Sequence, residues 1–155
     1  MIWEELKESL ILTDLDAKSY QDVMQSLGQV LIDEGYCKES YIEALIKREE
    51  EFPTGIDING IGVAIPHTDA SHVNHHGVAI AGLKQPVAFI QMGTDDEPVD
   101  VRLVFMLAVV NPNEHIGDLQ RILEIIQDPK VLEQLQQAKD DQSVIQIIKE
   151  KEKTL

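Results

Sequence analysis

Apolar positions in this chain form two patterns, helical repeats and short unbroken runs. Val23, Leu27, Val30 and Leu31 recur every three or four residues, the period of one helix face. Asp14 or Asp16 can cap that helix, which runs to about Glu34, and Gly35 suits its end. Ahead of it, residues 2–12 predict a short helical turn and a short strand. A second helix is predicted over about 39–51. Tyr41, Ala44, Leu45 and Phe52 fall on one side of it, and Arg48, seven residues from Tyr41, lies at the edge of that side. Four apolar runs of strand length follow, at 62–65, 77–83, 87–90 and 101–110, the last being the central one. Asp95-Asp96-Glu97-Pro98 is an acidic turn among them. Helical spacing returns at Ile116, Leu119, Ile122, Leu123 and Ile126. Asp128-Pro129 opens another short helix, and Val144, Ile145 and Ile148 mark the last. Strands interleaved with helices predict an α/β sandwich: one domain over residues 1–155, with a mixed sheet covered by helices on both faces.

Composition narrows the setting. The chain has 155 residues, 43% of them hydrophobic, enough for a core without staples. It contains no internal repeat, low-complexity tract or long linker. Lys plus Arg number 13 against 28 Asp plus Glu, a formal charge of −15. That balance argues against nucleic acid or an anionic membrane as partner and favours a basic protein surface. Cys37 is the only cysteine, so no internal disulfide can form. The N-terminus lacks the basic and apolar regions of a signal peptide, and the longest apolar run, 103–110, is far short of a membrane span. A cytoplasmic protein with no direct membrane insertion is expected.

The candidate chemistry concentrates in residues 52–69. Gly62-Val63-Ala64-Ile65 is a brief buried strand, and Pro66 stops it because proline cannot donate to a ladder. His67 therefore stands at a strand end, on a fixed backbone, with a side chain that can be a neutral nucleophile near pH 7. Arg48, beside an apolar face, either snorkels to solvent or holds an anion. A second candidate is His115, in Asn111-Pro112-Asn113-Glu114-His115, between the long strand and the amphipathic helix. Strand ends and helix N-termini are places where anions are held, and Asn113 is a plausible cap there.

Two strings in this order, Ile46-Lys47-Arg48-Glu49-Glu50-Glu51-Phe52-Pro53-Thr54-Gly55-Ile56 and Val63-Ala64-Ile65-Pro66-His67-Thr68, resemble enzyme IIA domains of the bacterial phosphotransferase system. The resemblance covers nearly the whole chain and is to the mannitol/fructose superfamily. It implies the α/β fold above, a phosphoryl group carried on His67, and Arg48 and His115 beside it. It also implies phospho-HPr as donor, a cognate IIB as acceptor, and the membrane IIC as an indirect partner. Segments 44–56 and 101–112 look most like galactitol-type IIA proteins, whereas Asn113-Glu114-His115 is closer to the mannitol and fructose types. With no linker toward IIB or IIC, a free-standing component is expected. Phosphoryl transfer is mostly positioning and charge stabilisation. His67 would supply the nucleophilic nitrogen, Arg48 a planar fork for equatorial oxygens, and His115 a further donor. Thr54 and Thr68 are possible hydroxyl donors. No cofactor and no general base are needed.

Other readings rest on less. Gly60-Ile61-Gly62 precedes a strand and lacks a third glycine, so it is no dinucleotide fingerprint; no GxxxxGK[ST] loop is present, so ATP is not the expected donor. His67, His72, His75 and His76, with His115, could make a metal-binding protein, but their spacing matches no standard zinc pattern, and His72, His75 and His76 are expected to be solvated loop residues. A regulatory module that signals by its phosphorylation state would keep the same fold and site.

Overall fold

The computed structural model describes residues 1–155, except for the side chains of Glu114 and His115. Two 3-10 turns, Ile2–Glu4 and Glu8–Leu10, lead into β1 (Ile11–Leu15). The first long helix, α1 (Tyr20–Asp33), is capped by Ser19, whose hydroxyl accepts from Asp22 N at 3.1 Å. This corrects the expected cap at Asp14 or Asp16: β1 pairs with the sheet as far as Leu15, so Asp14 lies inside the strand. The helix closes at Gly35, where Gly35 N donates to Ile32 O and Tyr36 N to Leu31 O.

The second helix, α2 (Tyr41–Glu51), buries Tyr41 and Leu45 completely. Phe52 does not join that face. It is 55% exposed, because the backbone leaves the helical spiral there with φ −132°. Next comes a hairpin, β2 (Gly55–Ile58) with β3 (Ile61–Ala64), paired antiparallel around Asn59-Gly60. Both turn residues have positive φ, 52° and 88°, the pattern of a two-residue type I′ turn that Asn-Gly tolerates. β2 was not among the expected strands. The expected strands at 77–83 and 87–90 are one element, β4 (Gly77–Ile90). The exposed Lys84-Gln85-Pro86 interrupts its apolar pattern, and the register with its neighbour shifts between Gly82 and Val87 without ending the strand. β5 (Pro98–Ala108) starts before the expected 101 and stops before 110. Three helices complete the chain: α3 (Pro112–Ile126), α4 (Pro129–Gln137) and α5 (Asp141–Glu152). Asn111, not Asn113, caps α3, since Pro112 occupies the first helical turn and Asn111 Oδ1 accepts from Asn113 N.

The five strands form one mixed sheet in the order β1-β4-β5-β3-β2, with β5 central. β1 and β4 run parallel, as do β3 and β5, while β4 and β5 are antiparallel. Successive β5 residues alternate between two cores. Val104, Met106 and Ala108 pack with residues of α1 and α2, such as Leu27 and Leu45. Leu103, Phe105 and Leu107 pack with residues of α3, α4 and α5, such as Ile125, Leu132 and Ile148. Burial on both sides explains why 103–110 reads as an unbroken apolar run. The sandwich with helices on both faces is as expected.

Two contacts set the ends of the parallel pair. Pro66 O, just past β3, accepts from Leu107 N at 3.0 Å, so the chain stays attached to β5 up to His67. At the other end, a Cβ on Gly62 would stand 2.0 Å from Asp100 O, a backbone atom that cannot swing aside. Gly62→Ala should therefore destabilise the fold by about 3 kcal/mol or more, as overpacking against a rigid neighbour does. Urea unfolding would show this as a large fall in midpoint; an unchanged midpoint would mean that β3 and β5 can separate locally at no cost.

Candidate functional site

His67 follows Pro66 at the carboxyl end of β3 and is partly buried. Its Nδ1 lies 3.0 Å from Ile65 O. A carbonyl oxygen only accepts, so Nδ1 carries the proton in the neutral ring and the lone pair is on Nε2. Burial lowers the pKa of His67 below 6.5; the Ile65 bond pulls it up and the Arg48 charge pushes it further down. The ring is thus held neutral, with one defined nucleophilic nitrogen.

Arg48 comes from the last turn of α2, with its guanidinium carbon 4.3 Å from the centroid of the Phe52 ring. The exposed Phe52 is a platform for the arginine. Arg48 Nε is buried and donates to no acceptor among the described residues. Leaving such a donor unsatisfied costs about 1–3 kcal/mol, more for a charged group, so the position suits an incoming anion. Arg48, His67, Thr68, Asp69, Ala70, Val109 and Pro112 line one pocket of about 200 Å³. It brings together the end of α2, the segment after β3 and the start of α3. A groove of about 620 Å³ between α4 and α5 is larger, yet neither histidine nor arginine lines it.

The other expected site residues fall as follows. Thr68 lines the pocket and is mostly buried. Thr54 is 4% exposed and does not line the pocket; its hydroxyl donates to Glu49 Oε1 at 2.8 Å, so it is committed to the protein. The side chain of His115 lies outside the described residues. Glu49 itself was missed. It is only 5% exposed and accepts from both Thr54 N and Thr54 Oγ1. Its signal was in the spacing: Tyr41, Leu45 and Glu49, four residues apart, make a stripe on which an acid is out of place.

The family described as "Phosphoenolpyruvate-dependent sugar phosphotransferase system, EIIA 2" matches residues 4–151. The chain belongs to this family. IIA domains of this system are phosphotransferase components that carry phosphate on a histidine, receive it from HPr and pass it to IIB. The galactitol-specific EIIA component of Escherichia coli (strain K12) is 33% identical over 114 residues, covering 74% of this chain and 75% of that protein. The mannitol-specific phosphotransferase enzyme IIA component of Bacillus subtilis (strain 168) is also 33% identical, over 135 residues, 85% of this chain and 87% of that one. Among solved structures, the mannitol-specific cryptic phosphotransferase enzyme IIA CmtB from Escherichia coli superposes with a TM-score of 0.78 at 28% identity, covering 97% of this chain and 99% of that one. The expected family and fold are therefore correct for this IIA domain. No helix among the described residues is long and apolar enough to cross a membrane.

The histidines weighed as a metal cluster are spread over separate surroundings. His72 Nδ1 is 2.8 Å from Ser40 Oγ, and His75 meets the Tyr36 ring edge-on. His76 is not a solvated loop residue, since its Nε2 lies 2.5 Å from Asp118 Oδ2 and 3.7 Å from Glu5 Oε2. These three ligand atoms all lie within 4.8 Å of one another, close enough together to hold a metal ion. These contacts tie the N-terminal segment and the approach to β4 to α3. Burial pushes the Cys37 thiol up to about 12, so this cysteine is a core residue and no rival nucleophile.

Because the folded pKa of His67 lies below the unfolded value, the unfolded chain takes up this proton first as pH falls. The contribution of His67 to stability is present above pH 6.5 and declines as pH drops from there through its folded pKa. In an NMR titration the His67 ring should stay neutral at pH 6.5, with its proton on Nδ1. A midpoint at or above 6.5 would show that burial does not govern the ring.

Proposed function

We propose that His67 is the phosphorylated residue of this IIA domain and that Nε2 is the atom that bonds phosphorus. The observation that supports this most is the pairing of a ring whose Nδ1–H is held by Ile65 O with a buried, unsatisfied Arg48 Nε at the same pocket. Phospho-HPr is the donor. As its P–N bond breaks, the Nε2 lone pair of His67 forms the new one, and the departing HPr imidazole keeps the electron pair. The proton stays on Nδ1, donated to Ile65 O throughout, so no general base is required. Arg48 takes equatorial oxygens through its fork, where charge spreads in the loose transition state. Thr68, mostly buried against the pocket, is a secondary hydroxyl donor. His115 is included on the string Asn113-Glu114-His115, as a donor to the same oxygens and not as the carrier. The reverse sequence passes the group to a cognate IIB.

The transported compound is read as galactitol or a related polyol. Support comes from the galactitol-like segments at 44–56 and 101–112 and from the galactitol-specific relative. The sugar never meets this chain in the scheme, because its recognition belongs to the membrane component. A cytoplasmic location follows from exchange with HPr. The exposed Phe52, Val110 and Ile116 belong to the elements that carry the site and offer apolar contact to a basic partner.

Incubation with phosphoenolpyruvate, enzyme I and HPr tests the assignment. Wild type should take up one acid-labile phosphoryl group per chain, and His67→Ala none. Arg48→Ala and His115→Ala should still be labelled, but about 10²–10³ slower in single turnover. Labelling of His67→Ala would move the carrier elsewhere. Complete loss in folded His115→Ala would make that residue the carrier.

A further inference from the structure

We infer that Glu49 is a positioning residue for phosphoryl transfer, holding the Arg48 turn and the His67 peptide in one frame through Thr54. The inference rests on His67 being the carrier.

Glu49 is an acid on an apolar stripe. Packing alone would be served by an apolar side chain, and burying a carboxylate costs desolvation unless hydrogen bonds offset it. No Lys or Arg pairs with it within 4 Å among the described residues. Its compensation comes from Thr54, five residues on: Thr54 N donates to Oε2 at 2.7 Å and Thr54 Oγ1 to Oε1 at 2.8 Å. Because its proton is given to Glu49, the Thr54 hydroxyl can only accept from its other side. There it accepts from Ile65 N at 3.3 Å. The same Ile65 presents the carbonyl that holds His67 Nδ1. A directed chain thus runs from the His67 ring through residue Ile65 and Thr54 to Glu49.

The opposite end of that chain is Arg48, which precedes Glu49 on α2. Upstream on the helix, Tyr41 OH donates to Leu107 O at 2.8 Å, and Leu107 N donates to Pro66 O. The helix is therefore fastened to the His67 segment at two levels, by Tyr41 through β5 and by Glu49 through Thr54. The Glu49 link is the one next to the arginine. Burial holds the Glu49 carboxyl above the ordinary carboxylate range, and the two Thr54 bonds offset only part of that rise. Glutamine is nearly isosteric but cannot take its place. It has one acceptor oxygen, and its amide N–H groups would face a Thr54 donor.

Transfer depends steeply on alignment, about 10²-fold for a displacement near 1 Å. The test measures single-turnover phosphoryl uptake from phospho-HPr against HPr concentration, together with the His67 tautomer by 15N NMR. Glu49→Gln should lower the rate at saturating phospho-HPr by about 10- to 100-fold. The half-saturating concentration should stay within about threefold of wild type, as Glu49 is buried away from any partner. The fraction of His67 rings protonated on Nδ1 should fall. Thr54→Val should reproduce both effects, and Thr54→Ser, which keeps the hydroxyl, should recover most of the lost rate. The double variant should be no slower than the worse single one, because both cut the same link. Should Glu49→Gln fail to fold, the Thr54 pair carries the test alone. Wild-type saturating rates in folded Glu49→Gln or Thr54→Val, an unchanged tautomer, or losses that simply add would overturn the inference. Failure of the carrier assignment is distinct: it shows as labelling of His67→Ala, whatever Glu49 does.

Discussion

Everything at the site depends on the parallel pairing of β3 with β5 at the centre of the sheet. Parallel strands end on the same side. The segment after β3 delivers His67, and the segment after β5 delivers the start of α3, so both arrive at one edge. Burial on both faces makes this pairing stiff: β5 is covered by α1 and α2 on one side and by α3, α4 and α5 on the other. Ligand sites in open sheets fall at such carboxyl ends because loops there can vary while the strands cannot. Here the close approach at Gly62 and the Leu107–Pro66 hydrogen bond keep the strand ends from drifting.

A stiff sheet is not sufficient, since the arginine comes from a helix. Helices slide on sheets more readily than strands slide past each other, because side-chain packing is less directional than a backbone ladder. Polar groups placed within the apolar layer remove that freedom. Tyr41 and Glu49 both lie on the core face of α2; Tyr41 bonds Leu107 of β5, and Glu49 bonds Thr54 just ahead of β2. On the other face, Glu152 has a similar place. It is 1% exposed, accepts from Ile2 N and Trp3 N, and lies 3.6 Å from Arg121 of α3. Each buried acid ties one site-bearing helix to the body of the protein.

The chemistry that results needs little from the protein beyond alignment and charge. Phosphohistidine is loaded and unloaded by partners, so the carrier must offer one nitrogen, keep the ring neutral and leave donors ready. For His67, the proposed carrier, the Nδ1 bond to Ile65 meets the first need and burial the second. Arg48 Nε, short of an acceptor among the described residues, meets the third. The small pocket of about 200 Å³ matches a small cargo.

Much of this was legible in the chain itself. Period-3.6 stretches predicted the helices and unbroken apolar runs predicted most strands, and the Pro66-His67 step predicted a histidine at a strand end. The misses have physical causes. β2 was overlooked although Asn59-Gly60 marks a two-residue turn, because only its far side carried a long apolar run. β4 was divided in two because Lys84-Gln85-Pro86 breaks its pattern, whereas a register shift lets the strand continue. Local spacing determines which faces are apolar and where elements stop, since those depend on neighbours in sequence. Which groups meet was decided by tertiary structure alone. Tyr41 met Leu107, Thr54 met Ile65, and His76 met Asp118, because each contact joins elements whose separation is set by how the sheet closes its two cores.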